Sequence, residues 1–118
     1  MIETARPIWL FHIDWSFRMS TIVCIIAGTF VFNAVPHIVK GICGEKHMSP
    51  FGRQSAPWIN VLWGWFNLIL GAIFAVYTGF PEWNTCNWIE FSIGGIVTSI
   101  GLAIFWANPD AKLPWHKD

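Results

Sequence analysis

Three long stretches of this sequence contain no Asp, Glu, Lys or Arg, and they constrain the fold more than any other feature. They are Met19–Val39, Gln54–Pro81 and Phe91–Pro109. A helix needs about 20 mainly apolar residues to cross about 30 Å of hydrocarbon. We therefore predict an all-α integral membrane protein, a single membrane domain over residues 1–118, with transmembrane helices near 19–40, 58–80 and 89–107.

The composition agrees with a membrane protein and excludes several other classes. Hydrophobic residues make up 54% of the chain and charged residues only 12%, with a formal net charge of zero. A nucleic-acid-binding protein would need a basic excess to meet phosphates. A disordered chain would be poor in apolar residues. We expect the lipid bilayer to surround the protein and no nucleic acid to bind it.

Residues 1–18 precede the first charge-free stretch and contain several bulky apolar side chains. From Phe11 onward, apolar and polar residues nearly alternate, which is a poor pattern for a helical stripe. We predict a segment, helical or extended, that lies at the membrane interface. A fourth span is disfavoured because it would bury Asp14 and Arg18 in lipid.

The basic residues predict the orientation of the chain in the membrane. Two of them, Arg6 and Arg18, precede the first predicted helix. The other five fall in the loop between helices one and two or after helix three: Lys40, Lys46, Arg53, Lys112 and Lys117. Because cytoplasmic loops carry the excess of Lys and Arg, we place the amino terminus outside and the carboxyl terminus in the cytoplasm.

The most regular pattern in the sequence is a stripe of small and amide residues on helix two. Its members follow one another by three or four positions: Asn60, Gly64, Asn67, Gly71 and Ala75. Helix three offers a similar row, Ser92, Gly95 and Ser99, which continues to Ala103. Small residues let membrane helices approach closely, and amides form hydrogen bonds across the contact. We predict a helix-packing interface whose partner is helix three of the same chain or a second copy.

Helix one carries a polar column, Thr29, Asn33 and His37, at helical spacing. Such residues face a protein interior or a cavity in the membrane. The column is either a ligand or proton site or a set of hydrogen bonds between helices, and the second interpretation is the more common.

His37 also begins a short run with Cys43 and His47, two further residues of types that bind metals or haem. The spacing matches no recognised zinc or haem signature, and a helix end followed by a glycine-rich turn explains the run equally well. The sequence identifies no cofactor.

The segments VPHIVKGICGEKHMSPFG and WINVLWGWFNLILG, residues 35–52 and 58–71, resemble small bacterial integral membrane proteins of three or four spans. That group has no assigned activity, so the resemblance implies the inner membrane and transfers no functional residue.

Because the sequence contains no catalytic triad, phosphate loop or dinucleotide fingerprint, a non-enzymatic role is favoured. The leading hypothesis is a membrane protein that acts through helix–helix contacts, as an accessory subunit of a complex or as a homo-oligomer. The alternatives are a small oligomeric transporter or channel, and a membrane protein in which His37 binds haem or a metal.

Overall fold

The computed structural model of the protein describes residues 7–117, and over residues 8–16 only the backbone. Three helices dominate it: α1 spans Ile8–Ile42, α2 spans Pro57–Tyr77 and α3 spans Thr85–Ala107. Each contains a segment long and apolar enough to cross a membrane, which in α1 is Phe17–Ile42. The fold is therefore all-α with three candidate spans, as the charge-free stretches predict.

The first helix begins earlier than the sequence predicts. The backbone is helical from Ile8, directly after Pro7, and continues without interruption into the span. No proline follows Pro7 until Pro36, so nothing in the covalent structure ends the helix in between. The amino-terminal segment is thus helical, which is one of the two forms that the sequence allows, and it is continuous with the first span. Its position at the membrane interface stays a prediction, and residues 1–6 lie outside the described chain.

Helix α1 lies at the centre of the bundle. It packs against α2 and α3, which make few direct contacts with each other within the described chain. The molecule is consequently flat, with extents of 67 × 30 × 20 Å. Most large apolar side chains of α2 and α3 point outward, as expected of surfaces that face lipid.

One end of the bundle carries a β-hairpin that the sequence did not predict. Strands β1 (His47–Ser49) and β2 (Gly52–Ser55) pair antiparallel between α1 and α2, with an irregularity between His47 and Ser49. We call this the hairpin end; it also contains the end of α3 and the tail, residues 108–117. The opposite end has an aromatic cluster formed by Phe80, Trp83, Trp88 and Phe91.

Candidate ligand-binding site

The polar column of α1 faces the amide stripe of α2 through two of its three members. Asn33 Nδ2 donates to Asn67 Oδ1 at 3.0 Å, and His37 Nδ1 lies 2.9 Å from Asn60 Oδ1. Thr29 is exposed, and its hydroxyl donates to the carbonyl of Ile25 in its own helix. The structure therefore unites Asn33 and His37 in one network and leaves Thr29 outside it.

Asn60 determines which nitrogen of His37 carries the proton. Its Nδ2 donates to the backbone oxygens of His47 at 2.9 Å and Ser55 at 3.2 Å, so the amide cannot be reversed without losing both bonds. Asn60 Oδ1 is then an acceptor, and His37 must donate from Nδ1. In a neutral imidazole this leaves His37 Nε2 as a hydrogen-bond acceptor with a free lone pair.

Asn60 and His37 are both buried. Asn60 is 0% exposed and His37 is 4% exposed. Buried amide and imidazole groups are tolerated in the membrane only when they are hydrogen-bonded, and the backbone oxygens of the hairpin supply these bonds. The hairpin thus holds Asn60, which in turn orients the ring of His37.

His37 and Asn33 line a cavity of about 300 Å³ at the hairpin end. Its other walls come from α2, α3, the hairpin and the tail, and they include Trp63, Phe105 and Trp106. No hydrogen bond found within residues 7–117 uses His37 Nε2 or Asn33 Oδ1. The arrangement is a small, mainly apolar cavity with two hydrogen-bond acceptors, which is the usual composition of a ligand site.

The tail borders the cavity and binds the hairpin. His116 Nδ1 accepts from the backbone N–H of Leu113 at 3.2 Å, so Nε2 of the neutral ring donates to the oxygen of Ser49 at 2.8 Å. Trp115 Nε1 donates to the oxygen of Pro50 at 2.8 Å. These bonds hold Leu113 and the hairpin turn over the same cavity.

His47 lies beside this cavity and lines a second, larger one. Its ring centroid is 5.3 Å from that of His37 and 4.2 Å from that of Trp106. Burial lowers the pKa of His47 to about 4, with further lowering by His37 and Lys40 and an opposing effect of Glu45. His47 is therefore a neutral imidazole near pH 7.

The structure does not assemble the metal site that the sequence raised as one possibility. Cys43 is exposed at the end of α1. In the described part of the chain, no three residues of the types His, Cys, Asp or Glu come together as potential metal ligands. His37, Cys43 and His47 consequently form no such group.

The α2 stripe is buried as a continuous seam, but its partner is α1 rather than α3 or a second copy. All five members, Asn60, Gly64, Asn67, Gly71 and Ala75, are buried. A Cβ atom added at Gly64 would lie 2.5 Å from Cγ1 of Ile38, and one at Gly71 would lie 2.6 Å from Cγ2 of Val31. The periodicity indicates which face of α2 packs, and it carries no information about which helix covers that face.

Only one of the three residues in the α3 row is buried by packing within the chain. Gly95 is buried against the ring of Phe32, whereas Ser92 and Ser99 are exposed. The two hydroxyls donate to backbone oxygens of their own helix, and all three residues border an open groove of about 300 Å³. This part of the predicted interface is open in the single chain.

Sequence reasoning missed the glycines at which α1 and α3 cross. A Cβ atom at Gly28 would lie 2.0 Å from the oxygen of Phe91, and one at Gly94 would lie 2.0 Å from the oxygen of Ile25. The adjacent pair Gly94–Gly95 in a transmembrane helix was the available signal. Trp63 and Trp106 were also missed as cavity walls, because Trp106 lies at a span end, where aromatic residues are ordinarily interfacial, and Trp63 lies outside the α2 stripe.

Comparison of the chain with protein-family models, with curated proteins and with solved structures gave no match. The resemblance to small bacterial membrane proteins stays a prediction. Function must accordingly be argued from the geometry of the site.

Proposed function

We propose that this protein is a non-enzymatic membrane protein that binds a small, largely apolar molecule carrying an O–H or N–H group. The observation that carries the proposal is His37: it is buried, oriented by Asn60, and presents an otherwise unused Nε2 at a cavity lined by tryptophan and phenylalanine. The ligand's polar hydrogen would be donated to Nε2, while its ring or chain would pack against the aromatic walls.

We further propose that the chain lies in the bacterial inner membrane with its hairpin end in the cytoplasm. Five basic residues belong to the hairpin end, whereas the loop between α2 and α3 has none. This distribution supports an amino terminus outside and a carboxyl terminus inside.

The ligand proposal is tested with two probes that differ in a single hydrogen-bond donor. 2-Naphthol carries an O–H group, and 2-methoxynaphthalene has the same ring system without it. Binding to protein in lipid nanodiscs is followed by quenching of tryptophan fluorescence, with empty nanodiscs as the correction for partitioning. We expect 2-naphthol to bind about fivefold more tightly after that correction, because one hydrogen bond contributes ~1 kcal/mol.

The variant His37→Phe retains an aromatic ring and removes the Nε2 acceptor, which leaves Asn33 Oδ1 as the other acceptor at the cavity. It should reduce the difference in affinity between the two probes, while Thr29→Val, which alters the exposed member of the same column, should preserve that difference. Equal binding of the two probes by the unsubstituted protein would refute the proposal.

A second candidate function, assembly into an oligomer through helix contacts, is favoured by the open groove at Ser92, Gly95 and Ser99. Small residues bordering a groove allow the backbone of another helix to approach closely. We propose a second copy of this chain as the occupant. Ser99→Leu would fill the groove and should shift the detergent-solubilised protein toward the monomer in analytical ultracentrifugation, whereas Ala103→Leu, at an exposed position outside the groove, should not. A monomeric unsubstituted protein would eliminate this candidate.

A further inference from the structure

The hairpin end contains a second cavity whose chemistry differs from that of the His37 cavity. It has a volume of about 640 Å³ and is bounded by both strands, the end of α3 and the tail. Three of its lining residues are cations: Lys46, Arg53 and Lys117. Among residues 7–117, none that lines it is acidic. We call it the basic groove.

No carboxylate of the described chain forms an ion pair with Lys46, Arg53 or Lys117. Glu45 forms an ion pair with Lys40, whose Nζ lies 2.6 Å from its Oε2. Asp110 is adjacent in sequence to two groove residues, Pro109 and Ala111, but it is not part of the lining.

Arg53 is held with part of its hydrogen-bonding capacity unused. Its Nη2 donates to the oxygen of Pro109 at 3.1 Å, which fixes the position of the guanidinium. A guanidinium has five N–H donors, and its planar fork matches the oxygens of a phosphate. The bond to the tail therefore orients Arg53 for an anion.

Two residues of the basic groove's wall, Trp106 and His47, each have a buried ring nitrogen that lacks a partner in the described chain. These atoms are Trp106 Nε1 and His47 Nε2. Because both nitrogens are inaccessible from the groove, its contacts with an anion come from the three cations.

The position of the basic groove decides between a soluble anion and a lipid. Trp106 belongs to the last turn of α3, which is a candidate membrane span, and the groove extends from there to the hairpin and tail. This is the level at which lipid headgroups lie, and basic cavities at the ends of transmembrane helices commonly bind them. We infer that the basic groove binds the phosphate of an anionic phospholipid headgroup.

The experiment measures which lipid the purified protein retains. The protein is equilibrated in mixed micelles of phosphatidylglycerol and phosphatidylcholine, and bound lipids are counted by native mass spectrometry. We expect preferential retention of phosphatidylglycerol. Arg53→Gln should reduce that preference about fivefold, the change expected for loss of one basic residue at a membrane surface.

Two further variants test whether the lipid preference depends on the basic groove itself, and not on the overall surface charge or on misfolding of a variant. Lys117→Gln removes one groove charge at an exposed position of the tail and should also reduce the preference. Lys112→Gln removes the same charge from an exposed tail residue outside the groove lining and should leave the preference unchanged. Equal effects of all three variants would overturn the inference, since they would indicate a diffuse surface charge.

Competition with inorganic phosphate distinguishes a lipid headgroup from a free phosphate ion as the occupant of the basic groove. Millimolar phosphate should fail to displace phosphatidylglycerol, because it offers no acyl chains to the exposed apolar side chains of α3, such as Ile100 and Ile104. Displacement at that concentration would overturn the lipid assignment in favour of a free anion. Equal retention of both lipids by the unsubstituted protein would overturn the site itself.

Discussion

The substitution Gly94→Ala tests the close crossing of α1 and α3. A Cβ atom at this position would lie 2.0 Å from the oxygen and 2.9 Å from the carbonyl carbon of Ile25. Both are backbone atoms, which cannot rotate away as a side chain would. Real Cβ atoms essentially never approach a neighbour closer than 3.0 Å, so the helices must separate by about 1 Å (3.0 − 2.0).

A separation of that size weakens the whole contact between the two helices. A gap of about 0.5–1 Å removes roughly a quarter to a half of the dispersion energy of each atom pair. Overpacking of close contacts in soluble proteins costs about 1–3 kcal/mol, and a backbone clash belongs at the upper end of that range. We therefore expect Gly94→Ala to lower the free energy of unfolding by about 3 kcal/mol.

Gly101→Ala is the matched control, because it makes the same substitution in the same helix. No heavy atom of a neighbouring element lies within 4 Å of the added Cβ in the described structure. Alanine is also the better helix former by ~1 kcal/mol, so this variant should be as stable as the original or slightly more stable. Stability is measured by denaturant unfolding in detergent, followed by tryptophan fluorescence. Equal stability of the two variants would show that α1 and α3 do not cross at Gly94.

Three further predictions concern α2, the hairpin and the topology. Gly71→Leu should lower the thermal stability of the solubilised protein, because the leucine side chain would collide with α1. Ala72→Leu, on the exposed side of α2, should have little effect. An equal loss of thermal stability in both variants would place the stripe against lipid. The pKa of His47 is lowered from 6.5 to about 4, so the unfolded chain binds more protons than the folded chain between those two values. Thermal stability should therefore fall as the pH drops from 6.5 to about 4, and His47→Gln should make this fall smaller. An equally steep fall in the variant would contradict the burial of the ring. Cys86 and Cys43 are both exposed in the structure. A membrane-impermeant thiol reagent applied to intact cells should label Cys86 and leave Cys43 unlabelled. The reverse labelling would invert the topology.

The three spans could be predicted because the bilayer imposes a length that charge-free stretches reveal directly. The buried face of α2 could be predicted for a similar reason, since Asn60, Gly64 and their neighbours repeat at helical spacing and are costly to expose to lipid. These are local signals, readable within a single helix.

The hairpin and the cavity depend on contacts between distant parts of the chain. Strands β1 and β2 have three and four residues, too short for a periodic pattern, and the side chain of Asn60 helps to hold them. Trp106 is far from His37 in sequence and meets it only at a cavity formed by the three helices, the hairpin and the tail. No spacing within one segment could have indicated that meeting. The polar column did identify Asn33 and His37 as candidates, and the structure supplied the cavity beside them.

The state of the His37 ring tests the proposed function most directly. Nitrogen-15 NMR of protein labelled at histidine, in lipid at pH 7.5, distinguishes protonated from unprotonated ring nitrogens, and His37→Phe assigns the signals. We predict that Nδ1 of His37 carries the proton, that Nε2 is bare, and that 2-naphthol shifts the Nε2 signal while 2-methoxynaphthalene does not. A proton on Nε2 in the absence of ligand, or an Nε2 signal that neither probe moves, would contradict the account.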